Sequence, residues 1–189
     1  MVEKISYNVI KSFPSFEIRS YPPLLVASIN VVDEDISFRK LFNYISGKNQ
    51  SRKKIAMTSP VLTSEKIPMT SPVLSKGNKM MFALPKLYTE KTVPQPLDSD
   101  ISIDIIPKRI VAVLRFRGIS TKKLIDKQKI ILMDSILKEQ YIPHGEVFLM
   151  RYNSPFMPGF FRRNEIAIEI IKSVAIHDSL SVDPIDMNK

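Results

Sequence analysis

A chain of 189 residues, 44% of them hydrophobic, is long enough for one domain of ordinary size with a substantial core. It contains no cysteine, which excludes disulfides, thiolate metal ligands and a cysteine nucleophile. No stretch reaches the ~18 to 20 consecutive apolar residues that span a bilayer, and residues 1–7 lack the basic segment and apolar run of a secretory signal. We therefore expect a cytoplasmic protein without a membrane span.

The chain is basic, because 28 Lys and Arg against 19 Asp and Glu give a formal net charge of +9. Such a surface favours anionic partners, such as acidic lipid, phosphate or a carboxylated ligand. The basic residues are dispersed and are not interleaved with aromatics in a recognisable module, so we expect no nucleic-acid partner. These features leave the oligomeric state open.

The first predicted elements belong to a repeat, in which residues 16–31 align with residues 101–116 at a constant offset of 85 residues. The aligned pairs are Phe16/Ile101, Ile18/Ile103, Pro22/Pro107, Leu25/Ile110, Val26/Val111, Ala27/Ala112, Ile29/Leu114 and Val31/Phe116. Both copies predict an alternating strand, a turn containing proline and a second, more apolar strand. The constant register favours an internal duplication, and the alternative is a chance similarity of two hairpins.

A helix is predicted after each strand pair. The apolar face of the first consists of Phe38, Leu41, Phe42 and Ile45. Acidic residues 33–35 suit the start of this helix and Gly47 suits its end. The apolar face of the second consists of Leu124, Ile131, Leu132 and Ile136. We expect that helix to lie between Ser120-Thr121 and a turn at Pro143-His144-Gly145.

Strands are predicted to close each half, at residues 79–84 in the first and at residues 147–152 and 165–171 in the second. In the last of these, three Ile alternate with Glu165, Ala167 and Glu169, which predicts one buried and one wetter face. The order is therefore ββαββ twice, over residues 15–85 and 100–171. We predict an α+β fold: a distorted, mostly antiparallel β-barrel or curved sheet with two helices outside. Residues 1–175 would form one domain and residues 176–189 a flexible tail.

A second, shorter repeat lies between the halves, where Lys-Ile-x-Met-Thr-Ser-Pro-Val-Leu occurs at residues 54–62 and again at 66–74. Its prolines exclude a helix and limit any strand to an edge or to short pieces. The two copies predict either a hairpin or a strand and a loop. Met57 and Met69 are soft side chains that suit a gap-filling role or a contact with heme iron.

The segment 153–163 combines three Phe and one Met with a Pro/Gly-rich loop and two arginines. A flat apolar macrocycle with carboxylates would suit this composition, with aromatics against the ring and Arg at the acids. The candidate contacts are Tyr152, Phe156, Met157, Phe160, Arg162 and Arg163. The alternative is that the loop folds onto the sheet and the arginines bind backbone or acidic side chains.

Catalytic and metal-binding motifs are not found in the sequence. His144 and His177 have no metal-ligand spacing, and neither a His-Glu-x-x-His nor a phosphate-binding Gly-rich motif occurs. We therefore predict no catalytic residue and no metal site built from side chains, and we expect that the protein is not an enzyme.

An ordered set of short motifs resembles the SOUL family of heme-binding proteins over about residues 7–171. These motifs are Glu17-Ile18-Arg19-Ser20-Tyr21, Tyr44-Ile45-Ser46-Gly47-Lys48-Asn49, the two Met-Thr-Ser-Pro copies, Met81-Phe82-Ala83-Leu84-Pro85, Pro94-Gln95-Pro96, Phe116-Arg117-Gly118, Tyr152-Asn153-Ser154-Pro155-Phe156 and Arg162-Arg163-Asn164-Glu165-Ile166. Each motif is weak alone, and their order makes the set specific.

The resemblance implies a distorted barrel from two repeated halves that binds heme or another porphyrin, without catalysis, to carry, buffer or sense it. It places the ligand in an apolar cleft near the first helix, where Phe38, Leu41, Phe42 and Ile45 are candidate contacts. Some members have a His immediately before the strand Tyr, and Ser20 at this position excludes that ligand here. Iron would then be held without a strong axial ligand. Asn43 and Pro158 stand where lysines occur in some members.

A second interpretation uses the same duplicated architecture. It is similar to bacterial GyrI-like effector domains, which implies a small-molecule effector or protein-interaction module. Fold alone does not decide between the two functions.

Overall fold

The computed structural model describes residues 3–51, 64–153 and 157–172. Met57, Phe156, the first Met-Thr-Ser-Pro copy and the predicted tail lie outside the described residues. None of the helices within these ranges is long and apolar enough to cross a membrane.

Within the first half, residues 3–51 and 64–83 contain eight strands and one helix. They are β1 (Glu3–Lys4), β2 (Asn8–Ser12), β3 (Glu17–Tyr21), β4 (Leu24–Asn30), α1 (Glu34–Ile45), β5 (Asn49–Gln50), β6 (Thr70–Ser71), β7 (Val73–Lys76) and β8 (Lys79–Ala83). The second half is β9 (Gln95–Pro96), β10 (Ile101–Ile106), β11 (Arg109–Arg117), α2 (Lys122–Lys138), β12 (Tyr141–Arg151), a 3₁₀ helix (Gly159–Phe161) and β13 (Arg163–Lys172). The predicted ββαββ order is confirmed as β3-β4-α1-β7-β8 and β10-β11-α2-β12-β13.

Nine of the strands form one sheet in the order β10-β4-β8-β7-β12-β13-β11-β3-β2, and each neighbouring pair is antiparallel. The sheet does not close into a barrel, so the curved-sheet form of the predicted α+β fold is the one observed. Two short pairs stand beside it, β1 with β6 in parallel and β5 with β9 antiparallel.

The two halves exchange their first strands. β3 pairs with β11 of the second half, and β10 pairs with β4 of the first half. The registers match, because Arg19 lies opposite Val111 while Asp104 lies opposite Val26, and the two pairs differ by the same 85-residue offset. β7 and β12, the equivalent strands of each half, join the halves at the centre.

Helix α1 begins and ends as the sequence predicts. The Asp33 side chain caps it by accepting a hydrogen bond from the backbone N–H of Ile36 at 2.8 Å. Gly47 follows its last turn with φ +118°, a conformation that favours glycine. The apolar face differs in part: Phe42 is 45% exposed, whereas Tyr44 is buried and donates from its hydroxyl to the carbonyl of Pro94. Tyr44 can lie inside because this bond satisfies its polar atom.

The predicted turn at Pro143-His144-Gly145 is wrong, since these residues lie inside strand β12. The turn after α2 comes earlier, at Gln140, with φ +61°. Proline is accommodated because β7 pairs only with residues 148–151, which leaves the first part of β12 with β13 as its neighbour. A register shift between His144 and Phe148 then bends the strand.

Apolar side chains fill both faces of the sheet. On the helix-bearing face, one cluster packs under α1 around Leu41 and Phe82, and another packs under α2 around Leu132 and Ile166. The opposite, helix-free face has its own buried cluster, which includes Val26 and its repeat partner Val111, covered by Ile5 from the N-terminal segment. The central part of the sheet is therefore buried on both sides, whereas edge strand β2 is exposed.

Candidate functional site

A cleft of about 340 Å³ lies on the helix-bearing face, where the two halves meet. One wall is the first part of α1, the other is the corner between β11 and α2, and the floor is formed by β7, β8, β12 and β13. Its lining residues are Glu34, Asp35, Phe38, Val73, Met80, Ile119, Ser120, Arg151, Asn153, Arg162 and Asn164. This volume falls within the range of small-molecule sites, about 300 to 1,000 Å³, near its lower end.

The apolar part of the cleft comes from α1 and the central strands. Val73 and Met80 are buried members of the core under α1, and both line the cleft. Phe38 packs edge-on against Phe82, with ring centroids 5.3 Å apart, and lies parallel to Phe42 at 6.2 Å. The Phe38 ring is therefore held in place by aromatic contacts on two sides.

Arg151 is the central charged group of the cleft. Its guanidinium donates to the hydroxyls of Ser120 at 3.3 Å and Ser75 at 3.2 Å, and to a carboxylate oxygen of Glu34 at 3.1 Å. These partners come from three separate segments, so they fix the side chain across the cleft. A fixed guanidinium beside an apolar floor is suited to bind a carboxylate.

The far wall depends on the corner before α2. Gly118 has φ +120°, and the side-chain amide of Asn164 donates to its carbonyl at 2.8 Å. Arg162, also in the lining, donates from Nε to the carbonyl of Met157 at 2.9 Å, and its own carbonyl accepts from the N–H of Gly118. The corner and the loop before β13 are thus hydrogen-bonded to each other.

A second, more open cleft of about 500 Å³ lies near the C-terminal end of α1. It is lined by Phe42, Ile45 and Met69 together with Lys66 and Ile67. The residues that we predict around the first helix are therefore divided: Phe38 lines the first cleft, Phe42, Ile45 and Met69 line the second, and Leu41 is fully buried core.

Tyr152 and Arg163 lie on the helix-free face, in a buried ionic network centred on Glu165. The fully buried Glu165 carboxylate accepts from Arg19 at 2.8 Å, Arg163 at 2.5 Å and the Tyr152 hydroxyl at 2.7 Å. Two rings cover the cations, with Arg19 4.2 Å from the centroid of Tyr7 and Arg163 4.3 Å from that of Tyr152. The prediction that Glu165 lies on a wetter face is wrong, because two guanidiniums and a hydroxyl replace water around it.

The network holds Glu165 ionised. Burial acts to raise the pKa of Glu165, but hydrogen bonds from Arg19, Arg163 and Tyr152 outweigh it and lower the pKa below its ordinary value. Burial and the adjacent carboxylate raise the pKa of the Tyr152 hydroxyl, which therefore remains a donor. Glu165 is thus a negative charge already neutralised by cations, which does not suit it to receive a cationic ligand.

The remaining predicted loop residues lie outside the lining of the cleft. Met157 and Phe160 are exposed, as is the neighbouring Phe161. The lining residues that sequence reasoning missed include Val73, Met80, Arg151 and Asn164, all on strands at or beside the junction of the halves. Alternation in β12 could have indicated Arg151. Met150 points into the core on one face of the strand, so the next residue, Arg151, lies on the opposite face.

The sequence matches the SOUL heme-binding protein family over residues 2–169. The chain belongs to this family. It is 33% identical over 153 residues to Heme-binding protein 2 of Homo sapiens, covering 75% of this chain and 71% of that protein. It is also 31% identical over 159 residues to Heme-binding protein 2 of Mus musculus, covering 80% of this chain and 76% of that protein.

Two solved structures share the fold at much lower sequence identity than these two relatives. The C-terminal domain of EcmrR aligns with a TM-score of 0.51 at 12% identity, over 88% of this chain and 98% of that one. A hydrolase from Listeria innocua aligns with a TM-score of 0.56 at 8% identity, over 86% and 94%. At such low identity the likeness shows the fold alone.

Proposed function

We propose that this SOUL-family chain binds heme or a related porphyrin, without catalysis, in the cleft between α1 and the β11–α2 corner, and carries, buffers or senses it. The observation that carries the proposal is the pairing of an apolar floor with a fixed guanidinium, in a chain related to two heme-binding proteins. The apolar floor matches the planar ring of such a ligand, and the guanidinium matches its carboxylates.

The residues present fit the chemistry of such a ligand. Phe38, Val73 and Met80 would contact the ring, while Arg151 and Arg162 would neutralise its propionates. When bound, heme would supply an iron centre. The described lining includes no His, Cys or Tyr, and the Met80 thioether is its soft donor. We therefore propose that iron is held without a strong axial ligand.

Binding rather than catalysis is proposed because the cleft lacks the pairs of groups that acid–base or nucleophilic chemistry requires. Its acidic groups, Glu34 and Asp35, lie at the rim on α1, and Glu34 is paired with Arg151. Within residues 3–51, 64–153 and 157–172, no group of three or more His, Cys, Asp or Glu is placed to hold a metal ion.

The direct test is a titration of the purified chain with hemin, followed by the Soret band. We expect a saturable spectral change at micromolar hemin and one site per chain. Protoporphyrin without iron should bind with similar affinity, because the proposed contacts are with the ring and its carboxylates. A linear, unsaturable response to hemin would contradict the proposed function.

Glu34 is expected to compete with the ligand for Arg151. Since this pair is exposed on the Glu34 side, its interaction is worth roughly 0.2 to 1 kcal/mol. Glu34→Gln should therefore tighten hemin binding by up to about five-fold. The matched control is Asp35→Asn, which removes an equal charge from the same rim. An equal gain of hemin affinity in both variants would indicate general repulsion between the rim carboxylates and the ligand, and not competition for Arg151.

The alternative of an effector module related to GyrI-like domains is supported by fold likeness alone. On the helix-free face, Glu165 is already paired with two guanidiniums. Nothing in that geometry favours the alternative over porphyrin binding.

A further inference from the structure

Two adjacent phenylalanines stand out of the surface beside the β11–α2 corner. Phe160 is 70% exposed and Phe161 60% exposed, with their ring centroids 4.3 Å apart on the 3₁₀ helix. Neither ring belongs to a core cluster of the described residues or to the lining of the cleft. An exposed aromatic pair is unfavourable in water, which points to a surface that becomes covered.

The segment that presents the pair is tightly built. Backbone N–H groups of Phe161 and Arg162 bond to the carbonyls of Pro158 and Gly159, at 3.0 and 3.1 Å. Gly159 lies so close to Ile119 that a Cβ at this position would come 2.4 Å from Ile119 Cγ1. The aromatic pair is therefore held next to Ile119, which is itself exposed, and the three form one apolar projection.

Two lysines follow Ile119 by three and four residues, in the first turn of α2. Lys122 and Lys123 are exposed, and this turn carries no acidic residue. Cations at a helix N-terminus oppose the helix dipole, so this placement does not serve the stability of α2. The chain as a whole carries +9, which favours an anionic partner over a cationic one.

We propose that the projection formed by Ile119, Phe160 and Phe161, with Lys122 and Lys123, docks this protein on an anionic lipid surface. Apolar side chains that enter the headgroup region beside lysines facing acidic lipids are the usual means by which a folded domain binds a bilayer interface. The two lysines favour an acidic surface over a neutral one, and apolar side chains next to lysines match an anionic bilayer, in which acidic headgroups lie over hydrocarbon. This inference does not depend on heme binding.

The test is co-sedimentation of the full chain with vesicles, without added hemin. Vesicles of equal parts phosphatidylcholine and phosphatidylserine should retain the protein, whereas pure phosphatidylcholine should retain little. Phe160→Ala/Phe161→Ala should lower partitioning to the anionic vesicles by at least about ten-fold, since two partly inserted rings are removed. The matched control is Leu87→Ala/Leu97→Ala, which removes two side chains of similar exposure, 68% and 67%, from the segment between β8 and β10.

A second variant changes the lysines, and its loss of vesicle binding could not be due to unfolding. Lys122→Glu/Lys123→Glu should lower anionic binding by at least about 25-fold, because each Lys near such a surface contributes roughly five-fold. Acidic residues in the first helical turn stabilise a helix, so the same variant should melt at a higher temperature than the wild type.

Three results would overturn the proposal. The first is equal retention by neutral and anionic vesicles, or by neither. The second is unchanged retention of the Phe160→Ala/Phe161→Ala variant. The third is loss of hemin binding or a change of oligomeric state in that variant while vesicle binding persists, which would assign the rings to the ligand or to a second copy.

Discussion

Glu165→Gln is expected to lower the free energy of unfolding by about 3 to 5 kcal/mol, the usual effect of removing one partner of a buried ion pair. The fully buried carboxylate is the acceptor for Arg19, Arg163 and Tyr152. A neutral amide would leave the buried Arg19 with only the partly exposed Glu17 as a counter-charge, at 2.7 Å. Urea denaturation followed by circular dichroism measures the change.

The matched control is Glu169→Gln, on the same strand and the same face. Its carboxylate is half-buried and lies 3.5 Å from Arg109 and 3.7 Å from Lys76, so its loss should cost less than about 1 kcal/mol. Replacing both Arg19 and Glu165 by Met should cost less than Glu165→Gln alone, because no fully buried charge is left unpaired. Equal effects of Glu165→Gln and Glu169→Gln would contradict the assignment of the network.

The same carboxylate gives the stability a defined pH dependence. The pKa of Glu165 is lower in the folded chain than in the unfolded chain, so the stability that it contributes is complete above its unfolded pKa of about 4.3. That contribution is lost as the pH falls through the folded pKa. The difference in stability between wild type and Glu165→Gln should therefore be constant near neutrality and shrink in acid. A difference that grows in acid would contradict the sign of the shift.

Arg151→Gln is expected to weaken hemin binding about 10- to 100-fold. Hydrogen bonds that involve a charged group are worth roughly 1.5 to 3 kcal/mol, and every 1.4 kcal/mol is tenfold in affinity. Arg151 is held across the cleft by Ser75, Ser120 and Glu34, so it needs little reordering when a carboxylate arrives. The Soret titration of the variant measures the loss.

The control is Arg115→Gln, an equal change of charge on an exposed arginine of the helix-free face. Its hemin affinity should stay within about two-fold of the wild type, because only long-range charge is altered. If the porphyrin is esterified at both carboxylates, Arg151→Gln should have little further effect. Equal losses in the two arginine variants would indicate non-specific attraction to a basic surface.

The fold was largely predictable because its signals are local and repeated. The 85-residue offset, the alternation in β3 and β10, the cap at Asp33 and the stop at Gly47 are all readable within short windows. The exchange of β3 and β10 between the halves was not predictable, since strand alternation gives faces but does not name the partner strand.

The candidate site was predicted only in part, for a related reason. Phe38 was a candidate because of the family resemblance and Arg162 because of local composition, whereas Val73, Met80 and Arg151 meet only because β7 and β12 join the halves. Glu165 shows the same limit: its alternation with isoleucines predicts exposure, and its buried partner Arg19 lies 146 residues away. Long-range partners that neutralise a charge leave no periodic signal in the chain.

A porphyrin bound in the proposed cleft would lie on the helix-bearing face, where the two halves meet. The most direct measurement is titration of the ¹⁵N-labelled chain with hemin, whose paramagnetic iron broadens nearby amide signals. We expect selective broadening at Phe38, Met80, Ile119 and Arg151, which line the cleft. The amides of β2 and those near Glu165, on the helix-free face, should be less affected. Broadening centred on Tyr7, Tyr21 and Val111 instead, with the cleft residues spared, would contradict porphyrin binding in the cleft and place it on the helix-free face.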